Sequence, residues 1–315
     1  MTRSAGMIHP QLVPYARFYP RFSFSKKNIW LVHLLTRWVP APRNVQGVPV
    51  ENIRISGAQN QASLRLRIYK PRGQTTPTPA LLWFHGGGYI LGRPEQDDAA
   101  CARFARELGI TVISVDYRLA PRHPFPAALE DAYTALCWAA ASSQDLGIDP
   151  DRIAVGGRSA GGGLAAALAQ LAHNRREVSP VFQLLVYPML DDRTVLRADL
   201  DDQRNVTWSR ASNRFGWESY LGQSCGEEQA PIYAVPARRA DLAGLPPAWI
   251  GVGSLDLFHD EDHAYANRLK GCGVICELEI ITGAFHAFDV VGSHLPIVLE
   301  FQRSQLAALQ KHLFC

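Results

Sequence analysis

One serine stands among five glycines in Ile153 to Leu171, IAVGGRSAGGGLAAALAQL. Glycine loses the most conformational freedom on folding, so glycines crowded beside a strand and a helix answer a steric demand. The apolar run before Gly156 reads as a buried strand, and the alanine-rich run after Gly163 as a helix. Gly157-Arg158-Ser159-Ala160-Gly161 is the turn between them. A strand-to-helix turn this sharp strains the serine backbone and points its Oγ out of the sheet. Residues two before and two after the serine approach each other there, which explains Gly157 and Gly161. The helix that follows aims free N–H groups and its positive dipole end at the same place. Ser159 is therefore a candidate nucleophile.

The rest of the chain repeats the alternation. SLRLRIYKP reads as a strand with one wet face, while ALLWFH, ITVISVDY, RIAVG, VFQLLVYP, PAWIGVG and VICELEII read as strands. Between them lie helical stretches: Gln96 to Leu108 capped by Gly109, PAALEDAYTALCWAAAS, the run after Ser159, Trp208 to Leu221, DEDHAYANRLKGCG and Val298 to Leu313. Ile29, Val32 and Leu35 suit a short amphipathic helix that Pro40 and Pro42 end. Strand–helix alternation predicts a mostly parallel sheet covered on both faces.

A second glycine cluster, Phe84-His85-Gly86-Gly87-Gly88-Tyr89, leaves another buried strand. It lets backbone N–H groups face a ligand, as an oxyanion hole requires. Gly87, Gly88 and Ala160 are the expected donors. His85 is expected to pin this loop with its ring rather than to act as a base.

Composition narrows the alternatives. The 315 residues carry 32 basic and 29 acidic side chains, with no basic stripe, so nucleic acid is not expected as a partner. The apolar run Asn28 to Val39 is too short to span a bilayer, and a membrane is not expected as a partner either. The six cysteines contain no CxxC pair, so metal is not expected and free thiols are. A cytoplasmic location is the expectation.

HGGGY (85–89), DYRLAPRHPFPAALED (116–131), GGRSAGGG (156–163), GSLDLFHDE (253–261) and GAFHAF (283–288) occur in this order. In these motifs the chain resembles the hormonesensitive-lipase-type α/β-hydrolases, and within them heroin-esterase-like bacterial carboxylesterases and acetyl esterases. The resemblance covers roughly residues 50 to 313. It implies an α/β-hydrolase fold with a helical lid. Residues 1–45 and 191–225 would form the lid, and 46–190 with 226–315 the core. It implies no cofactor.

In such enzymes the chain order is Ser, then Asp or Glu, then His. His286 follows a strand and lies between glycine and aromatics, which makes it the expected base. His173, His259, His263, His294 and His312 are read as surface or packing residues. Asp256, directly after PAWIGVG, is the expected acid. Asp260, Glu261 and Asp262 open a helix, where carboxylates favour the dipole. Leu257 stands where the family more often has proline. Asp191, Asp192, Asp201 and Asp202 are read as solvated charge. Arg158 departs from the acidic or small polar residue common beside the nucleophile and is expected to pair with a carboxylate. Asp116 and Arg118 are expected to tie down loops.

The expected activity is hydrolysis of short-chain acyl esters, small molecules, through an acyl-enzyme. Tyr89, Phe18, Tyr19, Trp208 and Phe215 are expected to wall the substrate pocket. The alternatives are a non-catalytic binding protein on this fold and a serine amidase or peptidase. The VICELEII strand near a sheet edge suggests a homodimer.

Overall fold

A computed structural model describes residues 7–19, 22–36, 42–57, 63–73, 77–200 and 206–314. Pro40, Asp201, Asp202 and Cys315 lie outside the described residues. The strands are β1 (Asn44–Val45), β2 (Val48–Ile55), β3 (Leu64–Tyr69), β4 (Thr78–Phe84), β5 (Thr111–Asp116), β6 (Ile148–Arg158), β7 (Phe182–Val186), β8 (Ala248–Gly253) and β9 (Cys276–Ile281). The helices are α1 (Val13–Phe18), α2 (Ile29–Thr36), α3 (Asp98–Leu108), α4 (Ala127–Ala141), α5 (Ser143–Leu146), α6 (Ala160–Arg175), α7 (Arg210–Leu221), α8 (His259–Gly271), α9 (Phe288–Val291) and α10 (Pro296–Leu313).

The strands form one sheet in the order β1-β2-β3-β5-β4-β6-β7-β8-β9. Pairings from β5 through β4 to β9 are parallel, while β1, β2 and β3 join antiparallel at one end. The mostly parallel sheet agrees with the reading from sequence. The alternating VPVENIRI of β2, with Val48, Val50 and Ile55 buried, is a strand that reading missed.

Alternate residues of each strand face opposite sides. Leu82 and Phe84 pack with Leu136, Leu164 and Tyr265 of α4, α6 and α8. Leu81 and Trp83 pack with Phe104, Phe301 and Leu309 of α3 and α10. Both faces are thus covered, which is why the central strands are apolar throughout.

Parallel strands all end at one edge of the sheet, and loops from different parts of the chain meet there. Register sharpens this. Phe84 of β4 is level with Gly157 of β6, Arg158 with Val186 of β7, and Gly253 of β8 with Ile281 of β9. The loops beginning at His85, Ser159, Ser254 and Thr282 therefore start side by side.

Candidate active site

Ser159 has φ 55° and ψ −122° between β6 and α6, a backbone conformation rarely adopted by L-residues. The turn holds because Ser159 N–H donates to Val186 O at 2.9 Å and Ser159 O accepts from Gly163 and Met189 N–H. A Cβ on Gly157 would stand 2.4 Å from Gly161 O, and one on Gly161 only 2.1 Å from Phe84 O. The close approach inferred from the sequence is present, and neither position has room for a side chain.

Ser159 Oγ lies 3.0 Å from His286 Nε2, and His286 Nδ1 lies 2.8 Å from Asp256 Oδ2. With the ring proton on Nδ1 donated to the carboxylate, Nε2 is free to accept the serine hydroxyl. Asp256 is fully buried, and Ser159 and His286 are nearly so. Phe258 N–H donates to the other Asp256 oxygen at 2.9 Å, holding the turn that carries Leu257 in place of proline. The rings of Tyr187 and Phe258 meet the imidazole edge-on at centroid distances of 4.8 and 5.0 Å. The three residues singled out in the sequence are brought together.

Gly86, Gly87 and Gly88 line a pocket of about 280 Å³ with Ser159 and His286. Gly87 and Gly88 adopt φ 125° and 60°, turning the chain so that it runs along the pocket. Ala160 begins α6 immediately after the serine, where the first helical N–H groups have no partner within the helix. The loop is braced from behind. Gln96 Nε2 donates to Gly86 O at 3.0 Å, and Tyr117 Oη donates to His85 O at 2.7 Å. The buried His85 ring stacks on Tyr117 at 4.3 Å. Burial lowers the His85 pKa, which favours the neutral ring. It pins the loop, as expected.

Arg158 Nε stands 3.3 Å from Asp97 Oδ1, and a terminal nitrogen 3.7 Å from Asp289 Oδ2. Burial opposes its charge, but Asp97, Tyr187 and Asp289 hold its pKa above the usual arginine value. Asp97 also accepts from Trp83 Nε1, and Asp289 from Tyr187 Oη. Arg158 thus joins the serine turn to the segment behind the glycine loop and to α9, just after His286. Arg118 makes a two-pronged pair with Asp131, and Asp116 pairs with Arg65. Asp192, read as solvated, is instead buried against Arg238 and accepts from Gly226 N–H.

The pocket wall differs from expectation. Tyr19 and Trp208 line it, together with Phe24, Leu91, Tyr187, Thr207 and Val290. Phe18 is 80% exposed and faces away. Tyr89 is buried in the core, stacked on Tyr220 at 3.9 Å. Phe215 lines a separate cavity with Ser23, Leu196 and Arg214. Sequence reasoning missed Tyr187, Thr207 and Gln96. Tyr187 directly follows β7 at the same sheet edge, a position that could have flagged it.

A model of the alpha/beta hydrolase fold matches residues 81–290. The chain belongs to this family. Among hydrolases of the family, LipN, a carboxylic ester hydrolase of Mycobacterium tuberculosis, is 36% identical over 253 residues, 76% of this chain and 64% of LipN. The chain therefore spans just under two thirds of LipN's length. An ethyl acetate hydrolase of Pseudomonas putida is 36% identical over 267 residues, 80% of this chain and 79% of that one. The structure of a bacterial heroin esterase matches with a TM-score of 0.90 and 34% identity, covering 98% of this chain and 99% of that one. These likenesses agree with the resemblance carried by the motifs.

Proposed function

We propose that Ser159, His286 and Asp256 hydrolyse short-chain acyl esters through an acyl-enzyme. The chain is a carboxylic ester hydrolase on the α/β-hydrolase fold. The observation that carries the catalytic assignment is the unbroken relay from Ser159 Oγ to His286 to the buried Asp256. His286 takes the serine proton as Oγ attacks the ester carbonyl. Asp256 holds the ring in the right tautomer and stabilises the imidazolium. The N–H groups of Gly87, Gly88 and Ala160 receive the oxyanion. His286 then protonates the departing alcohol, and water repeats the sequence on the acyl-enzyme.

The small pocket favours short acyl groups. Trp208, Tyr19 and Phe24 close it from above, and they belong to the two segments assigned to the lid. Those segments are joined: Phe24 N–H donates to Ser212 Oγ at 3.0 Å, and Ser23 and Ser209 hydroxyls meet at 2.9 Å. We assign the lid to residues 1–45 and 191–225, although part of each lies outside the described residues. The ester panel that tests this compares p-nitrophenyl acetate, butyrate, octanoate and palmitate with wild type and Ser159→Ala. Turnover should peak at acetate or butyrate and vanish in the variant. A preference for palmitate would contradict the reading.

The five described cysteines are free, which suits a reducing compartment and supports a cytoplasmic location. Among the described residues no helix is long and apolar enough to cross a membrane. Strand β9 ends the sheet, with Ile275 and Ile280 exposed beside it. That edge supports a homodimer, which light scattering would detect.

A further inference from the structure

The first 50 residues carry seven basic side chains and no acidic one, leaving 25 basic and all 29 acidic residues to the remaining 265. The same stretch holds eight of the fifteen exposed large apolar side chains among the described residues. Such side chains are ordinarily scattered singly over a surface, so their concentration calls for a cause. Phe18 is 80% exposed and Trp30 61%, with Val13, Phe22, Leu31 and Leu34 also exposed. Arg17, Lys26 and Lys27 are exposed among them.

Helix α2 shows how this arises. Ile29 is buried in the core, and the exposed His33 reaches the body through its Nε2, 2.6 Å from Ile90 O next to the glycine loop. Trp30, Leu31 and Leu34 fall within one arc of the opposite side, as spacings of one and four residues place them. The solvent side is thus apolar as well, contrary to the usual pattern of a surface helix. Lys26 and Lys27 precede the helix. The segment is anchored to the body at several points. Tyr15 Oη meets His294 Nε2 at 3.2 Å, His9 N–H donates to Gly283 O, and Phe24 packs on Trp208.

We infer that this N-terminal surface docks on an anionic lipid surface. Exposed Trp, Phe and Leu beside Lys and Arg, with no acidic residue in the segment itself, is the chemistry of an element that lies in a membrane interface. Trp favours the headgroup level, where its amphipathic ring is half wet. Charge complementarity selects anionic lipid, because Arg17, Lys26 and Lys27 stand exposed among these apolar side chains and a neutral apolar partner gives such cations no advantage. Lying on a bilayer needs no spanning helix, so the lack of one among the described residues does not bear on it. Tyr19, next to Phe18, lines the catalytic pocket, so the docking surface begins at the pocket rim. The expectation of no membrane partner, which rested on spanning length, is revised here to surface docking. The docking itself does not depend on the esterase reading.

Sedimentation of the full chain with phosphatidylcholine vesicles containing about 30% phosphatidylglycerol, against pure phosphatidylcholine, tests this. Wild type should bind the anionic vesicles, at least tenfold less the neutral ones, and should be released by 0.5 M salt. Lys26→Glu/Lys27→Glu should lower partitioning about tenfold or more, since each basic residue near such a surface contributes several-fold. Trp30→Ser should lower it independently. Both variants should keep wild-type hydrolysis of water-soluble p-nitrophenyl acetate, because none of these residues lines the pocket, and this separates lost docking from misfolding. No binding to anionic vesicles, or binding indifferent to salt and to both variants, would overturn the inference. So would finding that Trp30→Ser abolishes self-association while vesicle binding persists, which would make the surface a contact between copies.

Discussion

A Cβ placed on Gly88 would stand 2.3 Å from the ring of Trp208. The pocket wall and the glycine loop are therefore fitted to each other, and the loop cannot gain a methyl group without displacing the wall. Gly88 also sits at φ 60°, which an L-residue adopts at a cost. Gly88→Ala should lower kcat by about a hundredfold or more, the effect of misplacing one oxyanion donor. Circular dichroism should remain native. Adding Trp208→Ala should relieve the clash and recover part of the loss. Unchanged kcat in Gly88→Ala would remove this loop from the oxyanion hole.

Arg158 faces two buried carboxylates, Asp97 and Asp289. Arg158→Ala should cost about 3 kcal/mol of stability, because removing one member of a buried ion pair strands its partners. Arg158→Lys should recover part of this. Denaturant midpoints measure both. A change of less than about 0.5 kcal/mol, the range of ordinary surface substitutions, would show that these pairs do not hold the three segments together.

Asp262 is fully buried, and neither carboxylate oxygen has a hydrogen-bond partner among the described residues. Burial, with Glu261 and Asp256 near, raises its pKa well above the usual value. An unfolded Asp ionises at about pH 3.9, so above that pH the unfolded chain holds this group charged while burial makes the folded chain hold its proton to higher pH. Folding then takes up a proton, and this group's contribution to stability falls as pH rises. Asparagine is neutral throughout. Asp262→Asn should raise Tm relative to wild type at pH 8 and change it little near pH 4. An equal shift at both pH values would contradict the assignment.

Much of this site was legible because its constraints are local. Gly157 is forced by the backbone of Gly161 across the turn, and Gly161 by Phe84 O at the end of β4, but both demands arise at the turn itself, so the motif reports the geometry directly. His286 and Asp256 were legible from their place after strands in a parallel sheet. The pocket wall was not. Whether an aromatic faces pocket, core or solvent depends on how its helix or loop is packed against the rest of the fold, which spacing does not fix. Tyr89 stacks on Tyr220, Phe215 turns to another cavity and Phe18 to solvent, while Phe24 and Tyr187 supply the wall. Asp192 was misread for a related reason. Its partner Arg238 lies 46 residues away, and only the fold brings them together.

Covalent labelling of Ser159 tests the central claim most directly. Diethyl p-nitrophenyl phosphate should phosphorylate one equivalent of wild-type protein, with the mass increase on the peptide containing Ser159, and ester hydrolysis should fall in proportion. His286→Ala should take up the label far more slowly. Hydrolysis that survives complete labelling of Ser159, or a label carried by another residue, would contradict the account.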